Sequence, residues 1–144
     1  VDIKFLPDGN AVVVLMQSCS IVAWSTANWH SRVICPPSEK YMGDKGIVEG
    51  HLAIGHNVLF FAQHMHTSIR GVLWTAKPQD KKNRLKLKFD NYKKPIVGLT
   101  CPPGGQQLYV AYGDATIRAY TIVNGALAFS LSSLGSKEVK AGSL

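Results

Sequence analysis

The stretch Gln107-Leu-Tyr-Val-Ala-Tyr-Gly-Asp-Ala-Thr-Ile-Arg-Ala-Tyr-Thr121 decides how the rest of this 144-residue chain is interpreted. Leu108, Val110 and Tyr112 alternate with their neighbours in its first half, which is the period of a half-buried β-strand. Gly113 and the two residues after it break this alternation, and a second alternating run follows. The stretch therefore predicts two antiparallel strands joined by a short turn.

Two other stretches, residues 11–24 and 59–74, repeat this layout. In all three stretches the second strand ends on an aromatic residue, and an apolar run that ends in turn residues precedes the hairpin. A period in the high forties with four short strands per unit is typical of a propeller blade. The blade-closing aromatic residues lie 50 and 46 positions apart: Trp24, Trp74 and Tyr120.

The chain resembles the WD40-repeat proteins over nearly its whole length, as three consecutive blades. The match is closest at residues 114–120, which follow the family's Asp-x-Thr-Ile-Arg-x-Trp pattern with Tyr120 in place of Trp. Residues 5–9 match the turn between the first two strands of a blade. The resemblance implies an all-β fold, namely a WD40-like β-propeller segment of about three four-stranded antiparallel blades, and a scaffold role.

This sequence departs from the family pattern at several positions. The Asp after the blade-closing Trp is absent, Ser18 occupies the Asp position of the first repeat, and Gly50-His51 and Gly55-His56 do not lie in the family's usual place. The family's hydrogen-bond network of His, Ser or Thr, Asp and Trp therefore does not carry over as a whole. Only Asp114 is expected to keep its role, which is to stabilise its turn by accepting hydrogen bonds from the backbone or from Thr116.

The repeats divide the chain into a blade over 1–38, a blade with a basic loop over 39–93, a blade over 94–133 and a flexible tail or linker over 134–144. The alternating residues 28–35 and 84–90 are expected to form the outer strands of the first two blades. Three blades do not close a ring, because propellers typically have about four to eight. We therefore expect a segment of a longer propeller, or a part that another segment completes. Its two outermost blade faces should expose apolar surface of a kind that soluble monomers rarely tolerate.

The composition favours a globular protein inside the cell. With 46% hydrophobic and 17% charged residues, the chain has no apolar run of the ~18 residues that a transmembrane helix needs. The three cysteines, Cys19, Cys35 and Cys101, form no closely spaced pair, which favours free thiols in a reducing compartment. The expected location is intracellular, either cytoplasmic or nuclear, without a membrane partner.

Positive charge is concentrated in one segment. Eight of the 16 basic residues lie between positions 77 and 94, in a chain of net charge +7. Clustered Lys and Arg side chains can contact the phosphates of RNA or an anionic protein tail, whereas the interleaved Asp and Asn also suit a solvated loop followed by a charge-protected edge strand. The second interpretation is favoured. The candidate contacts of the first are Lys77, Lys81, Lys82, Arg84, Lys86 and Lys88.

No pattern in the sequence supports a metal site or an active site. His64 and His66 share one face of a predicted strand, and a zinc site with His51, His56 and Cys101 is conceivable, but no ligand spacing such as C-x2-C or H-x3-H supports it. The acidic residues are scattered, and the glycines after the paired prolines lack the Lys-Ser or Lys-Thr of a phosphate loop. We expect no catalytic residue, no metal and no cofactor.

The predicted function is that of a non-catalytic scaffold or adaptor, which presents a rigid surface to other proteins of a multi-subunit complex. The expected contact elements are the loops at 18–20, 65–68 and 113–115 and the basic loop at 77–83. The alternative is a component of a ribonucleoprotein or ribosome-biogenesis complex, in which the 77–94 segment contacts RNA. No small-molecule substrate is expected.

Overall fold

The computed structural model describes residues 2–18, 20–35, 50–55, 58–63, 65, 67–73, 92–132 and 137–139. Every regular element within these ranges is a β-strand, which confirms the all-β fold class, and the strands form three antiparallel sheets in chain order. The first sheet contains β1 (Asp2–Phe5), β2 (Ala11–Leu15), β3 (Ile21–Ser25) and β4 (Ser31–Cys35); the second contains β5 (Gly50–Ile54), β6 (Val58–Gln63) and β7 (Arg70–Leu73); the third contains β8 (Ile96–Thr100), β9 (Gln107–Tyr112), β10 (Thr116–Thr121), β11 (Leu127–Ser132) and β12 (Lys137–Val139).

The hairpin of the third sheet forms where the sequence predicts it. Strands β9 and β10 pair antiparallel, with Ile117 opposite Ala111 and Thr121 opposite Gln107. Along β9 buried and half-buried residues alternate strictly, and the buried ones are the three apolar residues of the predicted period, ending at Tyr112. The period-two pattern is thus confirmed because one face of this hairpin packs into the core.

The three sheets pack face against face in the order of the chain, with their first strands β1, β5 and β8 adjacent. The N–H of Leu52 in β5 donates to a carboxylate oxygen of Asp2 in β1 at 2.8 Å. The N–H of Met65 donates to the carbonyl oxygen of Ile96 in β8 at 2.8 Å. We call the end of the sheets that carries the β2–β3, β6–β7 and β9–β10 loops the upper end, and the opposite end the lower end.

The second sheet lies between the other two, and its middle strand is buried on both faces. Leu59 and Phe61 of β6 belong to a core cluster with the first sheet, whereas Val58, Phe60 and Ala62 belong to one with the third sheet. A strand buried on both faces needs an uninterrupted apolar run, because successive side chains point to opposite faces. Each large side chain buried in this way stabilises the fold by about 1.5–3 kcal/mol, so β6 joins the two cores.

Within the described ranges, the first and third sheets each have one face that no other sheet covers, which we call the free face. On the third sheet the free face includes Tyr109, Ile117 and Phe129, and Ile117 is 41% exposed. On the first sheet Ile3 and Phe5 are 62% and 65% exposed. The pairing register places seven apolar residues on that free face: Ile3, Phe5, Val12, Val14, Val22, Trp24 and Val33. Contiguous apolar faces of this kind are normally covered in soluble proteins.

Several strand predictions can be compared with the structure. The outer strand of the first sheet begins at Ser31 and not at Asn28 as predicted, because Trp29 has a positive φ of 59° and the chain turns there. Residues 137–139 pair with β11 as a fifth strand, inside the 134–144 segment expected to be a tail or linker. The predicted outer strand of the second blade, 84–90, lies outside the described residues. The blade boundaries themselves remain predictions.

Candidate interaction surface

Asp114 lies in the β9–β10 turn at the upper end of the third sheet. Its Oδ1 accepts a hydrogen bond from the N–H of Thr116 at 3.1 Å, which is how Asp side chains stabilise tight turns. The N–H of Gly113 donates to the carbonyl oxygen of Pro95 at 2.8 Å, so the turn is also tied to the segment that leads into β8. The role predicted for Asp114 and Thr116 is to stabilise this turn, and the size of their contribution to stability stays a prediction.

Tyr92, in the segment before β8, is the partner of Asp114 that the sequence did not reveal. Its phenol O–H donates to Oδ2 of Asp114, and Oγ1 of Thr116 lies 3.4 Å from the same hydroxyl. The ring packs edge-to-face on Tyr112 with the ring centroids 4.7 Å apart. The guanidinium carbon of Arg118 lies 3.8 Å from the Tyr92 ring centroid, a cation–π contact worth roughly 0.5–1 kcal/mol near a surface. Tyr92 thereby joins the turn to the sheet.

The hydrogen bond between Tyr92 and Asp114 shifts the pKa of both groups. It lowers the pKa of Asp114, because the phenol donates to the ionised carboxylate, and it raises the pKa of Tyr92, because the carboxylate favours the protonated phenol. Both groups lie near the surface, where water screens the interaction. The pair is therefore a structural contact at neutral pH, with each group held in its ordinary protonation state.

A second tyrosine pair lies deeper, between the second and third sheets. The hydroxyl oxygens of Tyr112 and Tyr120 are 2.9 Å apart and buried, so each polar end has a partner inside an apolar cluster. Tyr120, the predicted blade-closing residue of the third blade, is fully buried there. Its counterpart Trp24 lies half-buried on the free face of the first sheet. Trp74 lies outside the described residues.

The lower ends of the first and third sheets carry hairpin loops with one hydrogen-bond pattern. In the loop of residues 25–30, the N–H of Ser25 donates to the carbonyl of His30 at 3.0 Å, and the N–H of Trp29 donates to the carbonyl of Ser25 at 2.9 Å. Residues 121–126 repeat both bonds, at 2.8 and 2.7 Å. In each loop the Oδ1 of an asparagine, Asn28 or Asn124, accepts from the N–H two residues later, at 3.0 and 2.9 Å. The two loops are structural equivalents.

Trp29 is the residue that distinguishes the two loops. It occupies the fifth position with φ of 59°, where the third sheet has Gly125 with φ of 72°. Its side chain is 65% exposed. Alternation in the sequence predicts a strand at Trp29. The signal for a turn is that Trp29 follows Trp24 by five residues, as Gly125 follows Tyr120.

The described residues were compared with the zinc site that the sequence made conceivable. Within these ranges no three His, Cys, Asp or Glu side chains lie close enough to hold a metal ion; His56, His64 and His66 lie outside them. Burial raises the pKa of the Cys101 thiol to about 11, so this cysteine is not an activated nucleophile at neutral pH. Among the same residues there is no helix of the length and apolarity required to cross a membrane.

The described residues of three predicted contact loops, 18–20, 65–68 and 113–115, lie at the upper end. In the first, the hydroxyl oxygens of Ser18 and Ser20 are 2.8 Å apart; in the second, Met65 is 57% exposed. The 77–83 loop lies outside the described residues. So do the predicted anionic-partner contacts Lys77, Lys81, Lys82, Arg84, Lys86 and Lys88.

Solved structures of WD40 repeats contain the same arrangement of sheets. The crystal structure of the RRP9 WD40 repeats matches 91% of this chain with a TM-score of 0.66 and 20% sequence identity. The described sheets therefore have the fold of a WD40 propeller. The structure of U3-55K matches 91% of the chain at a TM-score of 0.65 and 20% identity. A chain of the mitotic checkpoint complex matches 91% at 0.64 and 12% identity.

These likenesses concern the fold, and they cover part of the longer structures. The chain spans 38% of the RRP9 and U3-55K chains and 36% of the chain in the mitotic checkpoint complex. No protein-family model matches the sequence, and a search of curated proteins finds no match. The third blade also differs from the WD40 pattern in its polar contacts: Asp114 bonds to Tyr92 and Tyr120 pairs with Tyr112, where the family uses His, Ser or Thr, Asp and Trp.

Proposed function

We propose that this chain belongs to a non-catalytic scaffold, which presents a rigid propeller surface to other proteins within a larger intracellular assembly, cytoplasmic or nuclear. The observation that supports it is the tight connection of the loops at both ends of the sheets. The 113–115 turn is bonded to Pro95, and the 25–30 and 121–126 loops are bonded to Asn10 and Gln106 of neighbouring turns. Loops held in this way lose little conformational entropy when a partner binds.

We further propose that both free faces pack against additional sheets of the same kind. The free face of the first sheet corresponds, strand position by strand position, to the face of the third sheet that packs on the second. Trp24 pairs with Val12 as Tyr120 pairs with Leu108, yet among the described residues only the latter pair has a neighbouring sheet above it. A face with this apolar composition fits another sheet as its cover.

The scaffold function is tested on the full polypeptide, purified from cells under native conditions. We expect a complex with protein partners in fixed ratio, whose mass does not change after nuclease treatment. A monomeric product without protein partners would contradict the proposal. An activity on a small molecule, lost on replacement of Asp114 while the fold is kept, would also contradict it.

The packing of the free faces is tested with the 144-residue chain alone. We expect light scattering to show self-association that increases with concentration, because two apolar faces lack their cover. Charged substitutions on those faces, Phe5→Lys and Ile117→Lys, should each lower the associated fraction, whereas Val123→Lys, on an exposed loop, should leave it unchanged. A stable monomer with cooperative unfolding would contradict the proposal.

The second candidate is an RNA-contacting component of a ribonucleoprotein, and the concentration of eight of the 16 basic residues between 77 and 94 favours it. Phosphate contacts release counterions, so the affinity for RNA should fall steeply as salt increases. Charge reversal at Lys81, Lys82 and Arg84 should abolish RNA binding and leave protein partners bound. A nuclease-resistant complex unaffected by this triple variant would exclude the candidate.

A further inference from the structure

Trp29, in the lower loop of the first sheet, has a backbone conformation for which the equivalent loop of the third sheet uses glycine. Its φ is 59°, beside 72° for Gly125, and the two loops share the same hydrogen bonds. This left-handed region is open to glycine and unfavourable for a bulky side chain. The loop therefore has a conformational cost that glycine at position 29 would avoid.

The fold gains little burial from the side chain of Trp29, because this residue is 65% exposed. Backbone conformations of this cost cluster at functional positions. Tryptophan is also enriched among the residues that contribute most of the binding energy of protein interfaces. The positive φ and the exposure are independent observations, and together they indicate a binding role for Trp29.

The polar side chains of this loop are bonded within the first sheet. The hydroxyl of Thr26 donates to the carbonyl of Gly9 in the β1–β2 turn at 2.8 Å. Oγ of Ser25 and Oδ1 of Asn28 each accept an N–H of the loop, at 3.2 and 3.0 Å. These bonds hold the loop in one conformation and engage its small polar side chains, so the indole of Trp29 is the group that the loop presents to a partner.

The chemistry of the loop indicates what kind of partner fits. Residues 25–29 read Ser-Thr-Ala-Asn-Trp, and none of these side chains is charged near neutral pH. The indole of Trp29 offers a broad apolar face and a single N–H donor. A partner that matches both properties brings an apolar side chain and a carbonyl oxygen. Nucleic acid matches them less well, because its affinity comes mainly from contacts of its phosphates with Lys and Arg.

We propose that Trp29 anchors a docking site for an uncharged protein segment that brings an apolar side chain and a backbone carbonyl. The apolar side chain packs on the face of the indole, and the carbonyl oxygen accepts the indole N–H. A loop that its own bonds already hold loses little conformational entropy on binding. This proposal rests on the scaffold function and names a surface and a partner class for it. The site lies at the lower end of the first blade, opposite the upper loops that the sequence predicts as contact elements.

The experiment uses the full polypeptide and a display library of random peptides. Peptides that bind Trp29→Gly are removed first, and selection on the wild type then keeps the peptides that need the indole. Each selected peptide should contain an apolar residue whose replacement by Ala weakens binding at least about tenfold. Its affinity should change less than about twofold between low and high salt, because no ion pair forms in this docking site.

Variants of the anchor separate the two contacts of the indole. Trp29→Gly removes both and should bind a selected peptide at least about tenfold more weakly than the wild type. Trp29→Phe keeps an aromatic face but lacks the N–H, so it should bind about threefold to tenfold more weakly. The matched control is Val123→Ala, at an exposed residue of the equivalent loop, and it should bind as the wild type does.

Two readouts separate a docking role from a structural one. Trp29→Gly should melt within about 3 °C of the wild type, because it relieves the backbone cost and removes little burial. In the unliganded wild type, the part of the tryptophan emission that Trp29→Gly removes should be open to quenching by acrylamide. The selected peptide should then protect this emission.

The proposal would be overturned if no peptide needs the indole, if binding falls steeply with salt, or if Val123→Ala also loses binding. Full affinity of Trp29→Phe would contradict the contact of the N–H with a carbonyl. A large fall in melting temperature would mean a structural role, an indole shielded in the free polypeptide would mean that another part of it covers Trp29, and Trp29-dependent binding of an RNA oligonucleotide would mean a different partner class; each overturns the proposal. The scaffold function is judged separately, because protein partners that co-purify in fixed ratio with Trp29→Gly would leave it intact while this site fails.

Discussion

The first and third sheets have the same strand order, yet their equivalent side chains have opposite environments. Ile21 of the first sheet is 0% exposed, whereas Ile117, at the same place in the third, is 41% exposed. The relation is reversed for the aromatic residues near the ends of the same strands, since Tyr120 is fully buried and Trp24 is not. The second sheet covers one face of each neighbour, and these faces are opposite ones. Burial here is decided by the neighbouring sheet.

The largest effect on the free energy of unfolding is expected in the comparison of Tyr120 with Trp24. In the 144-residue chain, Tyr120→Ala should lower the free energy of unfolding by about 3–5 kcal/mol, because it leaves a cavity and removes the partner of the Tyr112 hydroxyl. Trp24→Ala should cost only about 1 kcal/mol there, because the side chain is partly in water. Urea unfolding measures both. In the full polypeptide the cost of Trp24→Ala should rise towards that of Tyr120→Ala; an unchanged cost would mean that no sheet covers this face.

Ile21 and Ile117 should show the opposite contrast, with the larger loss of unfolding free energy in the first sheet. Ile21→Ala should cost about 2–4 kcal/mol, because the side chain is fully buried in the cluster between the first and second sheets. Ile117→Ala should cost less than about 1 kcal/mol in the same chain. Equal costs in urea unfolding of the 144-residue chain would show that the exposures of the two sheets do not differ in solution as they do in the structure.

The upper turns of the two sheets provide a smaller contrast. Asp114→Ala removes a carboxylate that accepts from the Thr116 N–H and from the Tyr92 hydroxyl, and should cost about 1 kcal/mol in a site this exposed. Ser18→Ala removes one hydroxyl contact, to Ser20, and should cost roughly half as much. Thermal unfolding of both variants measures the difference. A larger loss for Ser18→Ala would contradict the assignment of Asp114 as the stronger turn residue.

The smallest effect is the pH dependence of the Tyr92–Asp114 contact. Asp114 has a lowered pKa when folded, so its contribution is present above about pH 4 and lost as the pH falls through the folded pKa. Tyr92 has a raised pKa, so its contribution is present below about pH 10 and lost as the pH rises through the folded pKa. The stability difference between wild type and Tyr92→Phe should therefore be constant from about pH 5 to 9 and shrink on both sides.

The matched control for this pH profile is Tyr109→Phe. It removes a phenol that donates to Oε1 of Gln107 at 3.0 Å, an amide that does not ionise. We expect no decrease of its stability difference at acid pH. A profile for Tyr92→Phe that stays flat below pH 4 would show that the carboxylate contact adds nothing to stability.

The blade hairpins could be predicted because their information is local. Alternation in 107–112 and the break at 113–115 are visible within one short stretch, and the WD40-like pattern at 114–120 places Asp114 in its turn. The partner of Asp114 could not be found in this way, because Tyr92 lies 22 positions away in the chain. It meets the turn only after β8 and β9 have paired. No period or motif encodes such a contact.

Trp29 was missed for a different reason. Its neighbours alternate well enough to suggest a strand, and only the hydrogen bonds of the 25–30 loop reveal that the residue turns with a positive φ. The comparison with Gly125 needed both loops in three dimensions. In the sequence both residues follow the blade-closing aromatic residue by five positions. This spacing indicates a turn at Trp29 only when the two loops are known to be equivalent.

The sequence by itself determined the all-β class, the three repeated units and the positions of their hairpins, because strand periodicity and turn residues act over a few neighbours. The tertiary structure decided which apolar faces are buried, which residue bonds to Asp114 and where an exposed tryptophan is held. Those outcomes depend on side chains brought together from distant parts of the chain, as Leu52 is bonded to Asp2 and Met65 to Ile96. Such contacts form only when whole sheets pack on one another.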